Sequence, residues 1–184
     1  MQHLLERHGQ HCDAFLDIGC AEGFYLTGMA QWRGIPCAGV DIDPRSRQAV
    51  QDAASANNLQ ELITFQTSLD QAIRPLQGKL LCLVDVDGQE LEVLSELQQQ
   101  LEQHRSITDC RLIVESDLNS KGEHNTAEIV RFLSERGWTV LGTTAQQPSL
   151  RFTAQHAERS LLDQVALACE GRHGGQCWIS AHRP

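Results

Sequence analysis

The fold is decided at Phe15-Leu-Asp-Ile-Gly-Cys-Ala-Glu-Gly-Phe-Tyr25, where a short apolar run ends in glycines as a strand does before a helix. Gly19 and Gly23 allow the backbone to turn tightly and to approach a ligand closely. A second short strand ends in Val40-Asp-Ile-Asp-Pro44, and its Asp41 lies 18 positions after Gly23. That offset is near the ~20 residues at which a carboxylate can accept two ribose hydroxyls. The stretch is therefore typical of a nucleoside-binding strand, loop and helix.

The charges of the loop distinguish two classes of nucleoside cofactor. A dinucleotide fingerprint has a middle glycine and places a pyrophosphate on the helix N-terminus, but here Ala21 replaces that glycine and Glu22 would repel the pyrophosphate. S-adenosylmethionine has no phosphate and carries a sulfonium and an ammonium, which Asp17 and Glu22 complement. The loop thus favours S-adenosylmethionine over a nicotinamide or flavin dinucleotide. A plain strand, turn and helix with a capping carboxylate is the alternative.

The same residues carry a family resemblance. The segment Asp17 to Gly23 resembles motif I of class I S-adenosylmethionine-dependent methyltransferases, and Gly39-Val-Asp-Ile-Asp-Pro44 resembles their motif II. Leu83 to Leu94 and the strand end at Glu115 are similar to the corresponding motifs of FkbM-type methyltransferases, which methylate hydroxyls, often on sugars or secondary metabolites. The resemblance covers roughly residues 13 to 141 and implies O-methylation of a small molecule or saccharide. It departs from the FkbM type at Asp87, where that group usually has Glu.

Short apolar runs alternate with amphipathic segments along the chain, as in a doubly wound α/β domain. The chain has 184 residues, 41% of them hydrophobic, which fits one domain over residues 1–184. We expect a Rossmann-like, mostly parallel seven-stranded sheet with helices on both faces, and the resemblance implies a final antiparallel hairpin. The expected strands lie near 13–18, 36–41, 62–66, 80–86, 110–115, 138–142 and 176–182. The expected helices lie near 23–33, 44–57, 89–103, 125–136 and 156–170.

Composition excludes several classes of partner. The net charge of −9, with only two lysines, argues against a nucleic-acid substrate. No apolar run approaches ~18 residues and no signal-type N-terminus is present, so neither a membrane span nor secretion is expected. The seven cysteines are scattered and never spaced as Cys-x-x-Cys, which predicts reduced thiols in a cytoplasmic protein rather than a zinc site. A homodimer stays open.

The cofactor contacts are expected at the glycine loop, at the end of the second strand and, by resemblance, after the third and fourth strands. An aromatic at Tyr25 can pack either against the cofactor or against the sheet. Gly19→Val is expected to obstruct the cofactor without unfolding the protein. The expected cofactor-binding residues are Asp17, Gly19, Cys20, Gly23, Tyr25, Asp41, Ile42, Ser68, Leu69 and Asp85.

The candidate catalytic residues are Asp85, Glu115 and His124. Asp85 lies at the end of the fourth strand, Glu115 ends the fifth strand, and His124 follows the fifth strand. Asp85 and Asp87 share one side if the strand persists to Asp87, and Glu115 and Asp117 repeat that spacing. One of these groups can act as general base on the acceptor hydroxyl. Alternatively, two or three of these carboxylates hold Mg²⁺ or Ca²⁺, an interpretation that is not favoured. In a third interpretation, Asp87 and Glu90 only stabilise the N-terminus of the helix that follows, and Glu115 satisfies backbone donors.

His124 has its own alternative, which is a solvent-facing histidine before a helix capped by Asn125. Two other functions of the whole protein also stay open. One is an NAD-linked oxidoreductase, against which the missing middle glycine and Glu22 argue. The other is a nucleotide-binding module without catalysis.

Overall fold

In a computed structural model of the protein, residues 1–117, 124–145 and 177–184 are described. The strands are β1 Ala14–Ile18, β2 Cys37–Val40, β3 Ile63–Gln66, β4 Gly78–Val84, β5 Ile107–Ser116, β6 Thr139–Ala145 and β7 Cys177–Arg183. The helices within the described ranges are α1 Gln2–Gly9, α2 Phe24–Arg33, α3 Pro44–Ala56, α4 Leu69–Ile73, α5 Glu90–Gln103 and α6 Thr126–Glu135.

The seven strands form one sheet in the order β3-β2-β1-β4-β5-β7-β6. Strands β1 to β5 run parallel to one another, and β7 is antiparallel to both β5 and β6. This confirms the expected Rossmann-like sheet, including its antiparallel final pair. The strand order reverses between β1 and β4, and in such sheets a ligand binds outside the carboxyl ends of the strands at that switch point.

Two apolar layers cover the sheet. Phe15 and Leu16 are adjacent on β1 and face opposite sides, and both are fully buried. The layer around Leu16 includes side chains from α4, α5 and α6. The layer around Phe15 includes side chains from α1, α2 and α3. With both faces covered, the central strands are near-continuous apolar runs, as is usual in parallel sheets.

Some elements differ from those expected. Helices α1 and α4 were not expected, because α1 has few apolar side chains and α4 is only slightly longer than one turn. The strand expected over 80–86 ends instead at Val84. The helix expected over 156–170 lies outside the described residues. None of the helices in the described ranges is long and apolar enough to cross a bilayer.

Candidate functional site

A cleft of about 730 Å³ opens at the carboxyl ends of β1, β2 and β4. Its walls come from the glycine loop after β1, the Asp41 turn, the start of α4, the β4–α5 loop and the first turns of α5. The cleft therefore lies at the switch point, where the topology predicts a ligand.

The lining of this cleft is acidic. Among the described residues that line it there is no Lys or Arg, and the charged side chains are Asp41, Asp85, Asp87, Glu92 and Glu96. Carboxylates grouped in a cleft attract positive charge and repel phosphate. The cleft therefore suits a ligand with cationic groups better than one with a pyrophosphate.

The glycine loop is fixed by the protein's own backbone. Gly19 has φ +85°, and a Cβ there would lie 1.9 Å from the carbonyl oxygen of Asp85. Gly23 has φ +78° at the N-cap of α2, where a Cβ would lie 2.9 Å from a methyl of Val50. The expectation that Gly19→Val obstructs only the ligand is thus wrong, because any side chain at this position collides with the β4–α5 loop.

Asp41 holds the loop in place. Its Oδ2 accepts a hydrogen bond from the Ala21 N–H at 2.9 Å, and its Oδ1 accepts one from the Asp43 N–H at 2.7 Å. Ala21 has φ +43°, a conformation that L-residues seldom adopt without such support. A carboxylate has about four lone-pair sites. Asp41 can therefore accept two further hydroxyl donors while it keeps both backbone contacts.

Asp17 is buried on β1 directly before the glycine loop, with 1% of its surface exposed. Neither carboxylate oxygen has a hydrogen-bond partner among the described residues. Burial raises the pKa of Asp17 to about 7, and the nearby Asp41 carboxylate adds to the rise. A buried carboxylate without partners is costly, and a cation or a set of donors offsets that cost. A ligand that carries an ammonium group would supply such a cation.

Some of the other expected cofactor-binding residues line the cleft, and some do not. Ile42, 84% exposed, lies in the cleft wall together with Ser68 and Leu69. Cys20 is buried and does not line the cleft; its thiol sulfur would lie 2.8 Å from a Cβ on Gly39. Burial raises the pKa of the Cys20 thiol, which is therefore protonated at neutral pH.

Tyr25 lies in a second groove, of about 360 Å³, between α1 and α2. There its ring meets that of Phe24 edge-on, with 5.4 Å between the centroids. Gly23 likewise does not belong to the cleft lining. The structure therefore places Tyr25 beside α1 and against the apolar layer around Phe15, and not at the cleft.

Of the candidate catalytic residues, Asp85 lines the cleft. Because β4 ends at Val84, Asp85 and Asp87 lie in a loop, and the condition for their sharing a strand face is not met. Glu115 lies within β5 with 2% of its surface exposed, opposite Trp178. His124 is exposed and precedes α6. Neither Glu115 nor His124 is part of the described lining.

No group of three or more His, Cys, Asp or Glu side chains in the described parts of the chain is arranged to hold a metal ion. Asn125 occupies the N-cap position of α6, but its side chain makes no capping bond. Its Nδ2 instead donates to Oε2 of the buried Glu90 at 2.6 Å. The expected cap is therefore replaced by a side-chain contact with another helix.

Sequence reasoning missed the wall that α5 contributes. Glu92, Val93 and Glu96 line the cleft. Their i, i+1 and i+4 spacing places them on one side of the helix. This spacing is visible in the sequence and could have indicated the wall. Val93 packs partly against the apolar layer around Leu16 while it borders the cleft.

A family profile described as "BAT: GAF and HTH_10 associated domain" matches residues 47–181. This differs from the FkbM type that the motifs resemble, and the match begins after the glycine loop and the Asp41 turn. No curated protein sequence matches the chain.

Solved structures share the fold along nearly the whole chain. The geranyl diphosphate C-methyltransferase of Streptomyces coelicolor A3(2), solved with S-adenosyl-L-homocysteine, has a TM-score of 0.64 and 13% identity, covering 99% of this chain and 74% of that one. Ribosomal protein L11 methylase of Lactobacillus delbrueckii subsp. bulgaricus has a TM-score of 0.62 and 14% identity, covering 99% and 76%. The cyclase SpnF has a TM-score of 0.63 and 16% identity, covering 100% and 80%.

At these identities the likeness shows the fold alone, since one fold serves many reactions. The profile, by contrast, matches well over half of the chain. The chain therefore belongs to the BAT family of GAF and HTH_10 associated domains, and it has the Rossmann-like fold of class I S-adenosylmethionine-dependent methyltransferases.

Proposed function

We propose that the protein is an S-adenosylmethionine-dependent methyltransferase of FkbM-like chemistry that methylates an oxygen of a small molecule or saccharide. The observation that carries this proposal is the buried carboxylate of Asp17, which has no hydrogen-bond partner among the described residues. Asp17 is not itself in the described lining of the acidic cleft, but it directly precedes Ile18 and Gly19, which are. S-adenosylmethionine offers an ammonium and a sulfonium to such a site. The oxygen acceptor is supported by the resemblance of Leu83 to Leu94 to the FkbM-type motif.

The residues present fit this cofactor. Asp41 is already oriented by two backbone donors and keeps lone pairs for the ribose hydroxyls. The exposed Ile42 provides an apolar surface for adenine, and Asp17 provides the charge partner of the ammonium. When bound, the cofactor supplies an electrophilic methyl group.

Asp85 is the residue that we assign to the acceptor. It lines the cleft at the end of β4, next to the glycine loop. A carboxylate there can orient the acceptor hydroxyl and take up its proton as the methyl is transferred. Positioning the two reactants supplies the rest of the rate enhancement.

The charge of the cleft also limits the choice of ligand. A pyrophosphate or a nucleic-acid backbone would face five carboxylates without a lysine or arginine among the described lining residues. This argues against the NAD-linked oxidoreductase, and we propose that the acceptor is not a nucleic acid.

A second candidate is a module that binds the cofactor without turnover. Two observations favour it: Asp85 is the sole candidate catalytic residue in the described lining, and the matched family is described by its association with other domains. The similarity to the cyclase SpnF agrees that this fold does not fix one reaction.

Calorimetry and a transfer assay separate the candidates. We expect S-adenosylhomocysteine to bind and NAD⁺ not to bind. Labelled methyl from S-adenosylmethionine should appear on at least one member of a panel of polyols and saccharides. Absence of S-adenosylhomocysteine binding at millimolar concentration would refute both candidates. Binding without transfer to any acceptor would favour the module.

A further inference from the structure

Glu90, the first residue of α5, is completely buried. Its Oε1 accepts a hydrogen bond from the Gly88 N–H at 3.1 Å, and its Oε2 accepts one from Asn125 Nδ2 at 2.6 Å. Burial raises the pKa of Glu90, while these donors act in the opposite direction. A buried acid with a donor on each oxygen is a strong constraint on its neighbours, since breaking one contact leaves a polar group unsatisfied.

On one side, this contact continues to the end of β5 and the start of α6. Asn125 Oδ1 accepts a hydrogen bond from Ser116 Oγ at 3.1 Å, and the Asn125 N–H donates to the carbonyl oxygen of Asp117 at 3.1 Å. Ser116 also contacts the hydroxyl of Thr126. Glu90 is thus tied to two neighbouring elements through one amide side chain.

On the other side, the contact reaches the cleft. Gly88 belongs to the β4–α5 loop, and the loop residues 85, 86, 87 and 89 line the cleft. The Asp85 N–H donates to the Ile18 carbonyl at 2.9 Å, and the Asp85 carbonyl is the group that leaves no room for a side chain at Gly19. A shift of Gly88 would therefore reach both the cleft wall and the glycine loop.

We infer that Glu90 is a positioning residue, which acts through Gly88 to hold the β4–α5 loop and the glycine loop in the arrangement that binds the cofactor. This rests on the proposed function as far as the ligand is concerned. The geometry of the contact supplies a specific test, because the acid and the amide can be exchanged.

The test compares three variants. Asn125→Asp places a second carboxylate against Glu90, and we expect the Kd for S-adenosylhomocysteine to rise about 10-fold or more. In Glu90→Gln/Asn125→Asp, the Gln amide donates to the new Asp while its oxygen still accepts from Gly88, and Ser116 still has an acceptor. This double variant should return to within about threefold of the wild-type Kd. Glu90→Gln alone should lose less affinity for S-adenosylhomocysteine than Asn125→Asp, because the Asn125 amide can turn so that its oxygen accepts from the Gln amide.

Gln48→Glu is the matched control, since it also turns an amide into a carboxylate opposite an acid. Gln48 donates to Asp52 at 2.8 Å on the exposed side of α3. We expect its Kd to equal that of the wild type. If Asn125→Asp does not fold, the rescue is measured by whether the double variant folds and binds S-adenosylhomocysteine.

Hydrogen exchange followed by mass spectrometry separates this role from the proposed function. In Asn125→Asp, exchange should rise in peptides covering residues 18–23 and 85–90, stay unchanged in α3, and return to normal in the double variant. A wild-type protein that does not bind S-adenosylhomocysteine would overturn the proposed function, and the exchange pattern would then decide the positioning role alone. Unchanged exchange in these peptides, or exchange that rises equally in α3, would overturn the positioning role.

Discussion

Asp17→Asn should stabilise the ligand-free protein and weaken its affinity for the cofactor. The change keeps the shape of the side chain and removes a charge that is buried without a partner among the described residues. Since the amide does not ionise, the variant escapes the cost of a buried carboxylate. The same charge is the proposed partner of the cofactor's ammonium, so stability and binding should change in opposite directions.

The magnitude follows from the pKa of Asp17, which rises from 3.8 to about 7 in the folded protein. Between these values the folded state holds a proton that the unfolded state has released, so wild-type stability falls as pH rises and the loss is complete above pH 7. At ~1.4 kcal/mol for each pKa unit, the cost is about 2 kcal/mol at pH 5 and about 4 kcal/mol at pH 8. The advantage of Asp17→Asn should therefore grow by about 2–3 kcal/mol between these pH values.

Thermal unfolding at pH 5 and pH 8 checks this difference. We expect the midpoint of Asp17→Asn relative to the wild type to rise by about 5–10 °C between the two conditions. Asp52→Asn, at an exposed position on α3, is the control and should show no such change. Midpoints of Asp17→Asn and wild type that shift in parallel with pH would refute the buried charge.

Calorimetry gives a second readout of the same residue. Below pH 7, binding of an ammonium to the wild type must release the proton of Asp17, so affinity for S-adenosylhomocysteine should improve as pH rises through 7. Asp17→Asn should bind about 10-fold or more weakly at pH 8 and lose this part of the pH dependence. Equal affinities of the two proteins at pH 8 would mean that a residue other than Asp17 binds the ammonium.

Four further substitutions test the rest of the site. Asp41→Ala should weaken S-adenosylhomocysteine binding by about 1.5–3 kcal/mol in calorimetry, and an unchanged Kd would mean that another residue holds the ribose. Gly19→Ala should lower the unfolding midpoint because its Cβ collides with a backbone oxygen at 1.9 Å, whereas Gly28→Ala, whose Cβ meets nothing within 4 Å, should not; equal midpoints would contradict the collision. Asp85→Asn should slow methyl transfer about 10²-fold or more with cofactor affinity retained, and Glu115→Gln should affect the unfolding midpoint more than the rate. Full activity of the wild type in EDTA would favour a protein base over a bound cation. Wild-type rates in both Asp85→Asn and Glu115→Gln would mean that the acceptor lies elsewhere.

The strands and the glycine loop could be predicted because their signals are local. The run from Phe15 to Ile18 is apolar on both faces apart from Asp17, and the glycines follow at once, which is enough to indicate a buried parallel strand and a turn. The short helix α4 gives a much weaker signal, because five residues contain little more than one period. Its Leu69, Ala72 and Ile73 are buried by tertiary packing, which overrides the weak local preference.

The acceptor side was harder to predict because it depends on where strands end. A carboxylate in a strand has a fixed side, but β4 stops at Val84 and leaves Asp85 and Asp87 in a loop. Glu115 lies two residues beyond Ile113 and therefore faces the layer that includes α1, a helix that was not expected. The residue types after these strands were informative, whereas their directions required the whole sheet.

The two carboxylates that we propose for the cofactor site would contribute to binding by different physical routes. Asp41 is held by the N–H groups of Ala21 and Asp43 before any ligand arrives, so its contribution comes from preorganisation and from the small ordering cost that remains. Asp17 is held by no described donor, so its contribution comes from relief of a buried charge and depends on its protonation. Loss of Asp41 should therefore weaken binding on both sides of pH 7, whereas loss of Asp17 should weaken it chiefly above pH 7. A motif containing both acids specifies the sign of the ligand's charge, but only the folded environment makes one of them a pH-dependent contact.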